Sequence, residues 1–168
     1  GQLGMILGGP GGLDGNTNLG WTDVILVKFN SNGVKQWVRQ FGTSSMDGGT
    51  GLVVDSLGNI YVTGATAGSL DGKSNPGNEF NIFLVKYNSS GVKQWTQQLG
   101  TKKADAGTGV AVDKLDNLYV TGATEGGLEG ITNKGRLDSD SIRSSYHDIF
   151  LVKYDLKSPT VSSTTPVD

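Results

Sequence analysis

The stretch that decides the fold is LVKFNSNGVKQW at residues 26–37, which returns as LVKYNSSGVKQW at residues 84–95. The offset between the two copies, 84 minus 26, is 58. Carrying this offset across residues 24–72 pairs 49 positions, of which 30 are identical. Self-similarity at a fixed period is the sequence signature of a repeat architecture, in which each copy is one supersecondary unit.

Further partial copies flank the two full ones. DIFLVKYD begins at Asp148, and its counterpart in the preceding copy begins at Asn81. This offset exceeds the one between the full copies, because extra residues are inserted between Gly130 and Asp148. At the other end, LDG at residues 13–15 matches LDG at residues 70–72. The chain therefore contains the end of an earlier repeat and the beginning of a later one.

Within one repeat the pattern predicts four short strands. Residues 24–29, 34–41, 52–54 and 60–63 are apolar or alternating runs rich in β-branched and aromatic residues. Turn formers such as NSNG and DSLGN separate them, and Gly64 is predicted to end the fourth strand. We therefore predict an all-β fold of β-propeller-type blades, each with four antiparallel strands, in about three partial repeats.

A parallel β-helix is the competing repeat fold. Its coils are shorter than the repeat of this chain, and it does not need hairpin turns inside each coil. Propeller blades pack face to face, so their inner strands read as continuous apolar runs. ILV at residues 25–27 and FLV at residues 83–85 and 150–152 have this character, which favours the propeller.

Composition excludes several classes of function. The chain has 168 residues with a net charge of -2, and it has no basic stripe for nucleic acid or anionic lipid. It has no cysteine, which excludes disulfides and thiolate chemistry. Its longest apolar run is far shorter than the roughly 18 residues of a membrane span. No cofactor is predicted either, because the glycine-rich GGPGG at residues 8–12 lacks the following helix of a phosphate loop.

The residues also carry a family resemblance. DGGTGLVVDSLGNIYVTGATAG at residues 47–68, followed by LDG and FLVKYNSSGVKQW, resembles the bacterial SBBP family of β-propeller repeats. The second copy departs from the pattern at Asp116, which replaces the turn glycine. The resemblance covers essentially residues 5–157. It implies a propeller fold and an extracellular or cell-surface setting in a bacterium, and it implies no reaction.

The residues 158–168 differ from the repeat. SPTVSSTTPVD lacks the turn and tryptophan that should follow LVKY, and it resembles the opening of bacterial immunoglobulin-like domains. We therefore divide the chain into a β-propeller repeat region at residues 1–157, an incomplete ring, and a linker or start of an immunoglobulin-like domain at residues 158–168.

The repeated aspartates are interpreted as structural. Asp47 and Asp105 are equivalent, and so are Asp55 and Asp113. A residue copied into each blade does the same local job in each, and Asp55 precedes a Gly-Asn turn whose backbone N–H groups it can bind. We therefore predict turn capping and no catalytic residues.

The inserted loop at residues 131–147 offers weak binding candidates: Asp138, Asp140, Arg143 and Tyr146. Asp138 and Asp140 have a spacing that can supply two oxygens to Ca²⁺, but Arg143 stands where an EF-hand loop needs glycine. We predict no metal site there. The single histidine, His147, is interpreted as a loop residue.

The tryptophans divide into two groups. Trp37 and Trp95 are repeat-equivalent, which predicts packing between adjacent blades. Trp21 has no tryptophan counterpart, which makes it the better candidate for a contact with a ligand.

The leading functional hypothesis is a non-catalytic binding or structural module that presents its loops to a protein or glycan partner. The loop before the LVKY strand varies most between copies, since it spans positions 16–22, 73–80 and 131–147. The alternative is part of a propeller enzyme acting on polysaccharide, with its site completed by other blades. Because three partial blades do not close a ring, we also expect a homo-oligomer or a fragment that needs other blades.

Overall fold

The computed structural model describes residues 2–8, 12–128, 148–154 and 161–166. Within these ranges the chain is built from strands, and a 3-10 turn lies at Leu70–Gly72. The strands are β1 Gln2–Gly8, β2 Asp23–Phe29, β3 Lys35–Phe41, β4 Asp47–Val54, β5 Ile60–Thr66, β6 Asn81–Tyr87, β7 Lys93–Leu99, β8 Asp105–Val112, β9 Leu118–Thr124, β10 Asp148–Tyr154 and β11 Val161–Pro166.

The strands form three antiparallel sheets in chain order, which we call blades. Blade 1 is β1-β2-β3, blade 2 is β4-β5-β6-β7 and blade 3 is β8-β9-β10-β11. Within a blade, each strand pairs with its neighbour along the chain. The predicted all-β fold with four antiparallel strands in a repeat is therefore confirmed.

The fourth strand of blade 3 is one that the sequence analysis did not predict. β11 pairs with β10 from Phe150 opposite Pro166 to Tyr154 opposite Val161. It therefore takes the place that β3 and β7 take in the other blades, although its sequence does not resemble theirs.

Two glycine-rich stretches are strand rather than loop, and this corrects the predicted boundaries. β4 already begins at Asp47, and β5 runs through Gly64 to Thr66 instead of ending there. A Cβ on Gly64 would overlap the carbonyl oxygen of Gly48 and would lie 2.8 Å from the ring of Phe83. The glycine is thus required by close approach inside the sheet, next to a register shift between Gly49 and Gly51.

Two layers of the core lie between the blades, apart from a smaller buried cluster of Ile25, Val27 and Val38 in blade 1. Val24 and Leu26 of β2 pack with Phe83 and Val85 of β6 in the first layer. In the second layer, residues from the other face of β6 pack against β9 and β10. Strand β6 of blade 2 is therefore buried on both faces, as its continuous apolar run predicted. Each fully buried side chain stabilises the fold by about 1.5–3 kcal/mol.

The described residues contain no helix of the length and apolar character that a membrane crossing requires.

Candidate functional site

The blades have two unlike edges. The turn edge consists of the hairpin turns at residues 30–34, 55–59, 88–92 and 113–117. The opposite edge, here called the long-loop edge, carries the loop before β2, the loop between β5 and β6, and the crossings from β3 to β4 and from β7 to β8.

Aspartates organise the turn edge. Asp55 Oδ1 accepts the backbone N–H groups of Leu57 (3.0 Å) and Asn59 (2.8 Å), and its Oδ2 accepts the Asn59 amide (2.7 Å) and the Tyr61 hydroxyl (3.0 Å). Asp113 makes the same four bonds in blade 3. The predicted capping role is therefore confirmed at both positions.

These bonds also set the charge state of the two carboxylates. Burial alone would raise the pKa of Asp55, but the hydrogen bonds from Asn59, Tyr61 and Leu57 outweigh it and hold the pKa below its ordinary value. The pKa of Asp113 is lowered chiefly by the side-chain hydrogen bond from Asn117. A carboxylate held ionised by its own turn is suited to structure rather than to proton transfer.

The repeated tryptophans pack in the layers between blades, as predicted. Trp37 of blade 1 lies against the first layer and beside Gly91 of blade 2, and the guanidinium of Arg39 stacks 5.3 Å from the centre of its ring. Trp95 packs against the second layer, with its ring centre 6.0 Å from that of Tyr61.

At the long-loop edge, Asp47 and Asp105 begin the first strands of blades 2 and 3, and each binds the crossing that precedes it. Asp47 Oδ2 accepts the backbone N–H of Thr43 at 2.6 Å and its hydroxyl at 2.9 Å. Asp105 Oδ2 accepts the same two groups of Thr101, at 2.5 and 3.0 Å. These two aspartates therefore also have the structural role that the repeat predicted.

Trp21 lies in the loop before β2 and its side chain is 76% exposed. Its segment runs beside the crossing to blade 2, because the Trp21 N–H donates to the Ser45 carbonyl at 3.2 Å and Thr22 bridges to Met46. Leu19 and Met46 on these adjoining segments are 55% and 46% exposed. We call Leu19, Trp21 and Met46 the apolar loop patch.

The sequence pattern predicted Trp21 as a contact residue but did not predict Leu19 and Met46. The signal was present in the repeat, since the second copy has Gly77 and Ala104 at the positions 58 residues after Leu19 and Met46. An apolar side chain that is exposed in one copy and replaced in the other is not required by the blade itself.

A polar groove lies on the outer side of blade 2. Asp71 forms an ion pair with Lys93 at 2.7 Å and accepts the hydroxyl of Thr96, beside the indole of Trp95. Burial would raise the pKa of Asp71, but the hydrogen bonds from Lys93 and Thr96 outweigh it and the pKa is lowered. Asp71 and Lys93 of this groove therefore already bind one another.

The remaining sequence candidates cannot be placed. Asp138, Asp140, Arg143, Tyr146 and His147 lie outside the described residues. Among the residues that are described, no group of three or more histidine, cysteine or acidic side chains is arranged to hold a metal ion.

Comparison with known proteins agrees with the architecture. Residues 36–71 and 94–129 match the SBBP β-propeller repeat. The chain is 29% identical over 131 residues to the "Regulatory protein FlaEY" of Caulobacter vibrioides, covering 70% of this chain and 14% of that protein. It is 27% identical over 160 residues to the "Uncharacterized WD repeat-containing protein L264" of Acanthamoeba polyphaga mimivirus, covering 85% of this chain and 12% of that protein.

The chain thus spans about an eighth of the length of either relative. Both segments that match the repeat run from the strand that carries the repeated tryptophan to the end of the YVTG strand and the loop after it. The chain thus matches the SBBP β-propeller repeat at two of its repeats.

Proposed function

We propose that this chain is a non-catalytic binding module of a bacterial surface or secreted protein, and that its long-loop edge contacts a protein partner. The observation that carries the proposal is the apolar loop patch of Leu19, Trp21 and Met46, exposed on two adjoining segments. Exposed apolar clusters rimmed by polar residues are typical of interaction sites.

The chemistry of the patch favours a protein over a glycan. Aromatic and methionine side chains are enriched in protein interfaces. A glycan site sets an aromatic face beside free polar groups that bind hydroxyls. In the groove that has such groups, Asp71 and Lys93 beside Trp95 are paired with each other.

Two further observations support a non-catalytic role. The aspartates that recur in the blades are engaged with their own turns and crossings, as Asp55 and Asp47 show. The similarity to a protein named as regulatory points the same way. The surface or secreted setting rests on the resemblance to SBBP repeats.

Site-specific photo-crosslinking in the native host tests the partner. The photoreactive residue p-benzoyl-phenylalanine is placed at Trp21 and, as the matched control, at Leu115, which is 84% exposed on the turn edge. We expect a discrete protein adduct from position 21 that is missing from position 115. Equal products from both positions, or none from position 21, would contradict the proposal.

Two further measurements separate the alternatives. Electrophoresis through gels containing bacterial and plant polysaccharides should leave the mobility of the chain unchanged. Retardation that Trp21→Ala abolishes and Leu115→Ala preserves would identify a glycan partner instead. Protease added to intact cells should degrade the chain, and full protection would contradict the surface setting.

A further inference from the structure

Two acidic side chains are buried side by side where blades 1 and 2 meet at the long-loop edge. Asp23 opens β2 and is 0% exposed, and Asp47 opens β4 and is 2% exposed. The place that a Cβ would take on Gly42 lies 2.6 Å from Asp23 Oδ1 and 2.9 Å from Asp47 Oδ2. The two carboxylates therefore adjoin the same small volume.

Neither carboxylate has a cationic partner in the described part of the chain. Asp23 Oδ2 accepts the Leu19 N–H and the Gln40 amide, each at 2.9 Å, and Asp47 Oδ2 is bound to Thr43. The Oδ1 atoms of both aspartates are buried without a hydrogen-bond partner. Buried charges in proteins are paired with an opposite charge or coordinate a metal, because an uncompensated one is costly.

The junction of blades 2 and 3 is built in the same way. Asp47 donates its N–H to the Thr22 carbonyl at 2.9 Å, and Asp105 donates its N–H to the Phe80 carbonyl at 2.7 Å. The equivalent of Asp23 at this second junction is Asn81. The repeat therefore supplies an internal comparison of a carboxylate with an amide in one setting.

Asn81 Nδ2 is the equivalent of Asp23 Oδ1 and indicates which groups surround it. Asn81 Nδ2 lies 2.6 Å from the Cβ position of Gly100, as Asp23 Oδ1 does from that of Gly42. This Nδ2 donates to the carbonyl oxygens of Phe80 at 3.0 Å and Thr101 at 3.5 Å.

The two junctions differ at two places: Asp23 stands where the second junction has Asn81. In addition, Asp47 Oδ1 has no partner, whereas Asp105 Oδ1 accepts the Thr124 hydroxyl. The repeat equivalents of the two acceptor carbonyls are those of Thr22 and Thr43. Asp23 places an oxygen where Asn81 places a donor. By this repeat equivalence we expect Asp23 Oδ1 to face the carbonyl oxygens of Thr22 and Thr43.

We propose that Asp23 and Asp47, with the carbonyl oxygens of Thr22 and Thr43, bind a hard divalent cation, Ca²⁺, at the junction of blades 1 and 2. Ca²⁺ takes six to eight oxygen ligands from carboxylates, carbonyls and water, and its charge balances the two aspartates. The second junction, with Asn81, binds none. The cation ties the two blades together and fixes the segment of Leu19, whose N–H is bound to Asp23.

Calorimetric titration of the chelator-treated full chain with CaCl₂ at constant ionic strength tests the site. We expect one Ca²⁺ per chain and a saturable rise of several degrees in Tm, because a ligand that binds only the folded state stabilises it. Asp23→Asn should abolish both effects and still fold, since the amide can make the bonds that Asn81 makes. Asn81→Asp should raise the stoichiometry to two.

A control and a second ion complete the test. The double variant Asp138→Asn, Asp140→Asn removes the acidic pair of the inserted loop and should leave the titration unchanged. Mg²⁺ should bind more weakly because it gives up its water reluctantly. No heat with CaCl₂, an equal response from Asp23→Asn, or loss of the response in the Asp138, Asp140 double variant would overturn the proposal.

Discussion

The indole of Trp37 leaves no room for a side chain on Gly91. A Cβ at Gly91 would lie 2.8 Å from Cε2 of Trp37, although the two residues belong to neighbouring blades. Arg39 strengthens the contact by donating from Nε to the Gly91 carbonyl at 2.6 Å. The hairpin turn of blade 2 that contains Gly91 thus packs on Trp37 of blade 1. This contact joins the two blades at the turn edge.

A matched pair of alanine variants measures this contact. Gly33 and Gly91 are repeat-equivalent and both have a φ of 77°, but nothing lies within 4 Å of a Cβ at Gly33. Both substitutions place alanine in the left-handed region, which costs about 1 kcal/mol. We expect Gly91→Ala to cost about 1–3 kcal/mol more than Gly33→Ala, measured by urea unfolding, because only Gly91→Ala overpacks against the indole. Equal losses would show that the Trp37 contact does not constrain the turn.

Truncation of Trp37 should cause a substantial but moderate loss in the free energy of unfolding. Trp37 is half-buried in the layer between blades 1 and 2. We expect Trp37→Ala to lower the free energy of unfolding by about 3 kcal/mol, at the low end of the range for large buried aromatics. A change below about 0.5 kcal/mol in the same urea experiment, the range of ordinary surface substitutions, would contradict the packing role.

The fold was largely predictable because each local sequence signal occurs in two copies of the repeat. The turn at Asp55 and the tryptophan at position 37 could be interpreted from their copies alone. The strand ends at Gly64 and Asp47 could not be predicted. Whether glycine ends a strand or allows close approach depends on Phe83 and Gly48, which other strands supply.

The sites were less predictable than the fold for a related reason. The apolar loop patch combines Leu19 and Trp21 with Met46 from another segment, and a hydrogen bond between the two segments brings them together. The Asp23 and Asp47 pair likewise joins two blades. A single sequence shows such residues separately, and only the departures from the repeat mark them.

The turn carboxylates predict how stability depends on pH. In the unfolded chain Asp55 titrates near 3.8, and in the folded chain its pKa is lower. Its contribution is therefore complete above the ordinary value and is lost as pH falls through the folded pKa.

Asp55→Asn is the variant that checks this dependence. It cannot accept the Asn59 amide and Tyr61 hydroxyl as the carboxylate does, so we expect a loss of about 1–3 kcal/mol at pH 7. The loss should shrink as pH falls below about 4, the ordinary range of an aspartate. Urea unfolding between pH 2 and 7 measures it, and a penalty independent of pH would contradict the assignment.

The structure gives a reason why the second copy has Asp116 where the first copy has a turn glycine. Asp116 has a φ of 60° and accepts the Ser56 hydroxyl of blade 2 at 2.7 Å. A double-mutant cycle of Ser56→Ala and Asp116→Gly should give a coupling of about 0.5–1 kcal/mol. Coupling indistinguishable from zero in thermal melts would show that this contact between turns does not stabilise the junction.

The outer face of blade 3 predicts self-association of the isolated chain. Ile149 and Leu151 are 59% and 39% exposed, whereas the equivalent residues Ile82 and Leu84 of blade 2 are each 1% exposed beneath the next blade. An apolar blade face of this kind is covered by another blade of the same repeat, and for the chain alone the available one belongs to a second copy. We expect sedimentation equilibrium to show concentration-dependent association, which the double variant Ile149→Lys, Leu151→Lys weakens at least tenfold. The control Leu115→Lys, on the turn edge, should associate as the unmodified chain does. A monomer at all accessible concentrations, or equal association of the double variant, would show that this face does not bind a second copy.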